Sequence, residues 1–148
     1  MPSIELSTEI NAAPEAVWEL MCDTSSYPEW VVPTDRMLDT GEGEMRVGFV
    51  YREYGGIPPF KGESTWEVTE FEPQSRMVHV GDDGALTINL RIEVAPTDSG
   101  ARLTQRLDFK SRWWMTPISM IMWPLLMGRR GRAAIDQTQA NVKERLEA

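Results

Sequence analysis

The sequence has very little of the two residue types that most often build reactive or cross-linked sites: one cysteine, Cys22, and one histidine, His79, in 148 residues. A single cysteine rules out a disulfide framework within the chain. With no second histidine, and no cysteine or carboxylate spacing typical of a metal site, we predict no metal and no other cofactor. The sequence also lacks a glycine-rich phosphate loop and a clear pair of nucleophile and base, which favours binding over catalysis without deciding the matter.

Positive charge is also scarce, since 15 lysines and arginines face 23 aspartates and glutamates and leave a net charge of −8. Such a surface repels nucleic acid, and we find no nucleic-acid-binding module. The first residues, MPSIELSTEINA, lack the basic region and apolar run of a secretion signal, so we expect a cytoplasmic protein. With 41% hydrophobic and 26% charged residues, the chain is typical of one globular domain, residues 1–148, and we expect a monomer or weak dimer.

Long apolar runs are missing except for residues 113–127, WWMTPISMIMWPLLM. As a helix, this stretch would span about 22 Å, which is short of the roughly 30 Å of a bilayer's hydrocarbon core. It also contains Pro117 and Pro124. We therefore interpret the stretch as a cavity wall or a surface patch and not as a membrane span.

Alternating apolar and polar residues predict most of the chain to be strand. The clearest strand has Leu86, Ile88, Leu90, Ile92 and Val94 in one phase. The connections are too short for crossovers, so neighbouring strands should be antiparallel. The predicted strands are residues 3–10, 36–40, 45–54, 62–71, 76–80, 85–95 and 101–110.

Helical signals occur after the first strand and at the end of the chain. Pro14 suits the first turn of a short helix that ends near Met21, and TSSYPEW predicts a second short helix. After Trp113 we predict a long helix, interrupted near Gly128 and Gly131. Its apolar positions recur at helical spacing: Ile135, Thr138, Val142 and Leu146. An antiparallel sheet with one apolar face needs a cover, and this is the only long helix available, so the fold class is α+β.

The order of these elements resembles the START-like, or SRPBCC, superfamily, which includes the birch pollen allergen, polyketide cyclases/aromatases and coenzyme Q-binding proteins. The resemblance covers the whole chain. The residues that carry it are Ala13-Pro14, Val17-Trp18, Tyr27-Pro28-Glu29-Trp30, Trp66-Glu67-Val68, Phe71-Glu72-Pro73 and the terminal amphipathic helix.

The resemblance implies a helix-grip fold, in which a curved antiparallel sheet of about seven strands wraps around the long C-terminal helix. It also implies a cavity between sheet and helix that holds an apolar ligand. The superfamily has no universal catalytic residues, so none is assigned here. The implied function is to bind or transport a small hydrophobic molecule such as a lipid, a polyketide or an isoprenoid-like compound. The alternatives are a polyketide cyclase or dehydratase, and a membrane-docking or toxin-like interaction protein.

Polar residues in the apolar phase of two strands point to a cavity that is not tightly packed. Glu53 shares the phase of Phe49 and Tyr51, and Gln105 shares that of Leu107. Buried polar groups cost about 1–3 kcal/mol each unless they are paired, which suits a roomy or wet interior better than a solid one. The alternative without a cavity is that Glu53 lies beyond the edge of the sheet and that Gln105 forms a hydrogen bond with a neighbouring backbone group. The residues predicted to line the ligand site are Phe49, Tyr51, Glu53, Trp66, Leu90, Gln105, Leu107, Trp114, Ile118 and Met122.

Two further expectations concern chemistry and charge. If the protein is an enzyme, its acid and base groups should come from Tyr51, Arg52, Glu53, Tyr54 or Gln105, because His79 lies between two valines and should point outward.

Residues 110–132 contain five basic residues and no acidic ones around the apolar stretch. Basic residues beside a tryptophan-rich patch fit peripheral contact with an anionic membrane through Trp113–Arg132. The alternative is an ordinary solvated turn.

Overall fold

The computed structural model describes residues 3–58, 60–115, 117–118, 121 and 128–147, without the side chains of Phe60 and Met115. Seven strands form one antiparallel sheet in the order β1-β7-β6-β5-β4-β3-β2. Their bounds are β1 Ser3–Ile10, β2 Thr34–Asp39, β3 Val50–Ile57, β4 Phe60–Glu72, β5 Arg76–Asp82, β6 Leu86–Thr97 and β7 Gly100–Ser111. The described helices include α1 Pro14–Cys22, α2 Tyr27–Trp30 and α3 Gly128–Glu147. This arrangement confirms the predicted α+β helix-grip fold.

The residue pattern of the strands explains the pairing of β6 with β7 but only part of β3. β6 and β7 pair along their full lengths, from Leu86 opposite Ser111 to Thr97 opposite Gly100, because both strands alternate strictly. Strand β3 starts later and ends later than predicted, so Val47 lies outside it and is 60% exposed. The segment GGIPPFKG connects the predicted strands 45–54 and 62–71, and most of it continues their pairing as far as Ile57 opposite Phe60.

Helix α3 covers one face of the sheet, which we call the inner face. Its buried residues recur every three or four positions and thus form one stripe: Gly131, Ala134, Ile135, Thr138, Gln139 and Val142. The predicted interruption near Gly131 is wrong, because the helix runs through it. A Cβ on Gly131 would lie 3.0 Å from the Cδ1 atom of Ile4, so glycine at this position lets α3 lie close to β1.

The long helix that we predicted from Trp113 also differs from the structure at its start. Trp113–Met115 forms a 3-10 turn, and the described helix spans Gly128–Glu147. The apolar composition of residues 113–127 suggested helix, but local composition does not distinguish a 3-10 turn from the first turn of an α-helix. Within the described residues, no helix combines the length and the apolar character that crossing a bilayer would need.

The core has two parts under α3. The larger part joins α1, α2 and the middle of the sheet, and Val17, Val68 and Val142 are fully buried in it. The smaller part consists of Ile4, Leu107, Phe109 and Ile135. Ile88 and Leu90 pack against both parts. The space between the two parts is where the candidate site lies.

Candidate functional site

A cavity of about 150 Å³ lies between the inner face and α3. Its wall is mostly apolar, with a minority of polar groups from β2, β3, β5, β7 and α3. The apolar wall includes Met21, Val31, Ile57, Leu86, Ile88, Leu90, Ile92, Leu107, Phe109, Ala134 and Ile135. An apolar cavity of roughly this size holds one benzene ring, whereas sites for drug-sized ligands occupy about 300–1,000 Å³. The cavity suits a small guest.

The ring of Tyr51 is held in the wall by aromatic neighbours on two sides. It stacks on Trp66 with ring centroids 6.2 Å apart and planes 4° apart, and it meets the ring of Tyr27 edge-on at 5.7 Å. Trp66 lies opposite Gly81 across the strand pair β4–β5. A Cβ on Gly81 would come within 2.5 Å of the indole, so the glycine leaves the space in which Trp66 supports Tyr51.

His79 is the main correction to the sequence analysis. We predicted that it points outward, but it is 0% exposed and lines the cavity. The prediction was wrong because Val78 and Val80 suggested an inward phase, whereas Met77, His79 and Gly81, in the other phase of β5, are all buried, and Val78 is buried as well. Valine on both sides of a central strand makes its phase ambiguous.

The imidazole of His79 is bonded through one nitrogen only. Its Nδ1 lies 2.7 Å from the hydroxyl oxygen of Tyr51. Its Nε2 is buried and has no hydrogen-bond partner among the residues that the structure describes. Burial lowers the pKa of His79 to about 4, so the ring is neutral at neutral pH. A neutral imidazole can accept a proton through one nitrogen while it donates through the other.

Glu53 places a carboxyl group in the same wall. It is 9% exposed, and the hydroxyl of Thr34 donates to its Oε2 at 2.8 Å. Burial raises the pKa of Glu53, and the hydrogen bond from Thr34 opposes that shift without cancelling it. A carboxyl whose pKa moves toward neutrality can both take and return a proton, as acid–base chemistry requires.

Gln105 on β7 and Thr138 on α3 contribute further polar groups to the cavity wall. The side-chain amide of Gln139 donates to the Oε1 atom of Gln105 at 3.3 Å and to the backbone oxygen of Leu6 at 2.9 Å. Thr138 donates to the backbone oxygen of Ala134. These groups are hydrogen-bonded, so burying them in the cavity wall costs little free energy.

The structure brings together six of the ten residues predicted for the ligand site: Tyr51, Glu53, Trp66, Leu90, Gln105 and Leu107. Phe49 is buried but packs beneath Gly41 and does not line this cavity. Trp114 and Ile118 are 52% and 48% exposed and lie outside its wall. Met122 lies outside the described residues. That any of the ten contacts a ligand stays a prediction.

The expected acid–base candidates separate into two groups. Tyr51, Glu53 and Gln105 line the cavity, whereas Arg52 pairs with Glu63 at the surface at 3.2 Å. Tyr54 has the same strand phase as Arg52 and stacks under Arg36. Within the described part of the chain, no group of three histidine, cysteine or carboxylate side chains could hold a metal ion.

Sequence reasoning missed His79 and the aromatic and small residues that complete the wall. Tyr27 and Trp30 come from the second short helical segment, and Ala134 comes from α3. The sequence predicted the two helical segments but did not indicate which of their residues meet at the cavity. The amphipathic period of α3 was the available signal for Ala134.

The sheet, the C-terminal helix and the apolar cavity between them define the START-like class of fold. The chain belongs to the polyketide cyclase/dehydrase and lipid transport family, whose family model matches residues 1–147. Two uncharacterized proteins of Mycobacterium tuberculosis, from strains CDC 1551 and H37Rv, are each 28% identical over 124 residues, which is 80% of this chain and 83% of theirs. Membership in this family supports a ligand-binding or cyclase-type role.

Solved structures show the same fold at low sequence identity. A START superfamily protein from Mycobacterium smegmatis has a TM-score of 0.76 at 15% identity, covering 98% of this chain and 97% of that one. The Zhui aromatase/cyclase from Streptomyces sp. R1128 has a TM-score of 0.75 at 14% identity, covering 97% and 94%. A protein from Thermus thermophilus has a TM-score of 0.79 at 16% identity, covering 98% and 97%.

Proposed function

We propose that this protein binds and carries a small hydrophobic molecule in the cavity between the sheet and α3. The observation that carries the proposal is the apolar hollow of about 150 Å³ under Ala134. A well-packed interior has few voids larger than a water molecule, and each void costs stability. A cavity of this size is therefore better explained by a guest than by imperfect packing.

The volume restricts the guest. One aromatic ring or a short aliphatic chain fits the cavity as it stands. A whole lipid, polyketide or isoprenoid-like molecule needs several times that space, so it would place only one end or one ring in this cavity or require the wall to open. Ring-sized compounds are therefore the sharpest probes.

The test is binding of toluene, followed by NMR, with two leucine substitutions on the same helix. Ala134 is buried in the cavity wall, whereas the adjacent Ala133 is exposed. We expect toluene to bind the wild type and Ala133→Leu alike and to bind Ala134→Leu at least about tenfold more weakly, since the leucine occupies the hollow. Native mass spectrometry of the freshly purified protein would show any molecule that co-purifies. Failure of the wild type to bind toluene, or equal loss in both variants, would remove the proposal.

A cyclase-type activity is the second candidate, and the pairing of Tyr51 with His79 at 2.7 Å favours it. Ring closure of a poly-β-keto chain needs a base that removes a proton from the carbon between two carbonyls and a donor at the ketone oxygen that becomes a hydroxyl. Glu53 and the Tyr51–His79 pair supply such groups within one apolar wall.

The enzymatic candidate is tested with a short linear poly-β-keto thioester. We expect ring-closed product above the uncatalysed rate in the wild type and a loss of at least about tenfold in Glu53→Gln and in Tyr51→Phe. Arg52→Gln, on the outer face of the same strand, is the matched control. A protein that binds toluene but gives no product above background is a carrier and not a cyclase.

A further inference from the structure

The unpaired nitrogen of His79 says more about the guest than the cavity volume does. Only two buried side-chain polar atoms lack a partner among the described residues, and the other, Thr97 Oγ1, belongs to a residue that does not line the cavity. An unpaired buried polar atom is disfavoured, which is why native interiors contain few of them. Because His79 is fully buried, any hydrogen-bond partner of its Nε2 atom must come from the cavity.

The chemistry of the missing partner follows from the state of the ring. The imidazole is neutral, and Nδ1 is engaged with Tyr51, whose hydroxyl keeps its proton because burial raises its pKa. If Tyr51 donates to Nδ1, then Nε2 carries the proton and donates; if Tyr51 accepts, Nε2 accepts. A hydroxyl group satisfies both arrangements, because its single oxygen atom can donate or accept a hydrogen bond.

The surroundings of His79 specify the rest of the guest. Tyr27, Trp30, Tyr51 and Trp66 contribute aromatic surface to the same wall. Aromatic side chains pack against rings in offset or edge-on geometry at a gain beyond simple burial. An anionic guest would lose its hydration in this mostly apolar cavity, would find no positive charge on the neutral imidazole and would share the wall with the carboxyl group of Glu53.

We propose that the cavity selects a neutral, hydroxylated ring compound whose hydroxyl hydrogen-bonds to Nε2 of His79. This inference rests on the proposed function, because it names the class of molecule that the cavity holds. It assigns His79 as the residue that determines specificity, in a strand whose residue pattern did not indicate a site.

The experiment compares phenol with toluene, which have nearly the same shape and differ in the hydroxyl. His79 is the only histidine of the sequence, so in untagged protein labelled with 15N both imidazole signals belong to it, and Nε2 is the nitrogen that couples strongly to both ring C–H protons. We expect phenol to shift the Nε2 signal and toluene to leave it nearly unchanged. His79→Phe should weaken phenol binding by about tenfold, the equivalent of one neutral hydrogen bond, and change toluene binding by less than about threefold. His79→Gln, which keeps a donor and an acceptor, should restore part of the preference.

The outcomes separate the two proposals. If neither compound binds, both the proposed function and this inference fail. If toluene binds but phenol leaves the Nε2 signal in place, the carrier proposal survives and the role of His79 is wrong. The shift is measured in the wild type, so a variant that fails to fold does not remove the test.

A second inference rests on a different part of the molecule, four exposed apolar side chains that follow one another closely in sequence and that we call the tryptophan-rich surface: Trp113, Trp114, Ile118 and Ile121. These side chains are 86%, 52%, 48% and 62% exposed, in that order. Large apolar side chains exposed together mark interaction sites more often than ordinary surface. Tryptophan is also the side chain that favours the interfacial region of a bilayer.

Basic residues that lie near this surface in sequence specify the partner. Lys110, Arg129 and Arg132 form no ion pair with any described residue. Arg112 and Arg130 are already engaged, with Asp82 and with the backbone oxygen of Pro58. Three cations without an ion pair in the described part of the chain flank the exposed tryptophans in sequence. In a chain of net charge −8, they form a local electrostatic match to an anionic surface.

We infer that this tryptophan-rich surface docks on anionic bilayers. The test is flotation with vesicles of phosphatidylcholine, with and without phosphatidylglycerol. We expect flotation with the anionic vesicles only, lost at high salt and reduced at least about fivefold in the Trp113→Ser/Trp114→Ser double variant. The matched control is Val47→Ser/Val50→Ser, two apolar residues that are 60% and 42% exposed elsewhere. No flotation with anionic vesicles in low salt, or equal flotation of the wild type and the tryptophan variant, would overturn this inference.

Discussion

The buried imidazole of His79 makes a quantitative prediction about stability and pH. Burial lowers the pKa of His79 from 6.5 to about 4 in the folded protein, while the unfolded chain keeps the ordinary value. Between these two pH values the unfolded state therefore binds more protons than the folded state. The folded state is favoured above pH 6.5, and this contribution is lost as the pH falls from 6.5 toward 4.

The magnitude follows from the two pKa values. On going from pH 7.5 to pH 5, the linkage relation gives a loss of about 2 kcal/mol in the free energy of unfolding from His79 alone. With a urea dependence of roughly 2 kcal/mol per molar for a domain of this size, the unfolding midpoint should fall by about 1 M. Glu53 acts in the opposite direction, because burial raises its pKa and acid removes the penalty on its charge.

The assay is urea unfolding followed by tryptophan fluorescence at both pH values, in the wild type and in His79→Gln. The variant lacks the titrating ring but keeps a polar side chain of similar reach, and Glu53 and all other titrating groups are common to both proteins. We expect the wild type to lose about 2 kcal/mol more than the variant between pH 7.5 and pH 5. Equal losses in the two proteins would show that His79 titrates normally and that its assignment to a dry interior is wrong.

Three further predictions concern the walls of the cavity. The free energy of unfolding of Glu53→Gln, measured relative to that of the wild type, should rise between pH 4 and pH 7. The reason is that the Glu53 carboxyl of the wild type has a raised pKa and destabilises the folded state increasingly as it ionises. Urea unfolding of both proteins at the two pH values checks this. The free energy of unfolding of Gly81→Ala should be lower by about 1–3 kcal/mol, and this variant should bind toluene more weakly, because the new methyl group meets Trp66. Gly62→Ala is the control: its methyl group meets nothing within 4 Å, so the same unfolding and NMR measurements should change little. Val142→Ala should lower the free energy of unfolding by about 2 kcal/mol, since the side chain is fully buried between α3 and the sheet, and a shift smaller than about 0.5 kcal/mol would contradict that placement.

Strand periodicity was sufficient to predict where Tyr51 and Glu53 lie. Both share one phase of β3, and Thr34 on β2 supplies the hydrogen bond that makes a buried carboxyl tolerable. Gln105 was also predicted correctly from its phase on β7, and its partner is the side chain of Gln139, not a neighbouring backbone group. Polar residues within an apolar phase were thus informative, because alternation is enforced wherever one face of a sheet is buried.

Periodicity failed where its assumptions did not hold. His79 lies on a central strand with apolar residues in both phases, so the sequence offered two equally good orientations. Phe49 shares the phase of Tyr51 but precedes the first residue of β3, and its ring fills the space under Gly41 instead of the cavity. Trp114 and Ile118 were placed in the wall on the assumption of one continuous helix, which the 3-10 turn at Trp113–Met115 does not provide. The volume of the cavity depends on distances between elements that no local pattern encodes.

The contacts of α3 explain why a hollow persists beneath it. Three of the four described α3 residues that line the cavity are small or short, Gly131, Ala134 and Thr138, and only Ile135 is large, while the sheet opposite presents larger side chains. The helix is also held by polar bonds beside the cavity: the hydroxyl of Thr138 accepts the backbone N–H of Val32 at 3.0 Å, and the amide of Gln139 donates to the oxygen of Leu6 at 2.9 Å. Hydrogen bonds fix a distance, whereas apolar contacts alone would let the helix settle until the void closed. The spacing between helix and sheet is therefore set by its polar contacts, and the small residues between them leave that spacing unfilled.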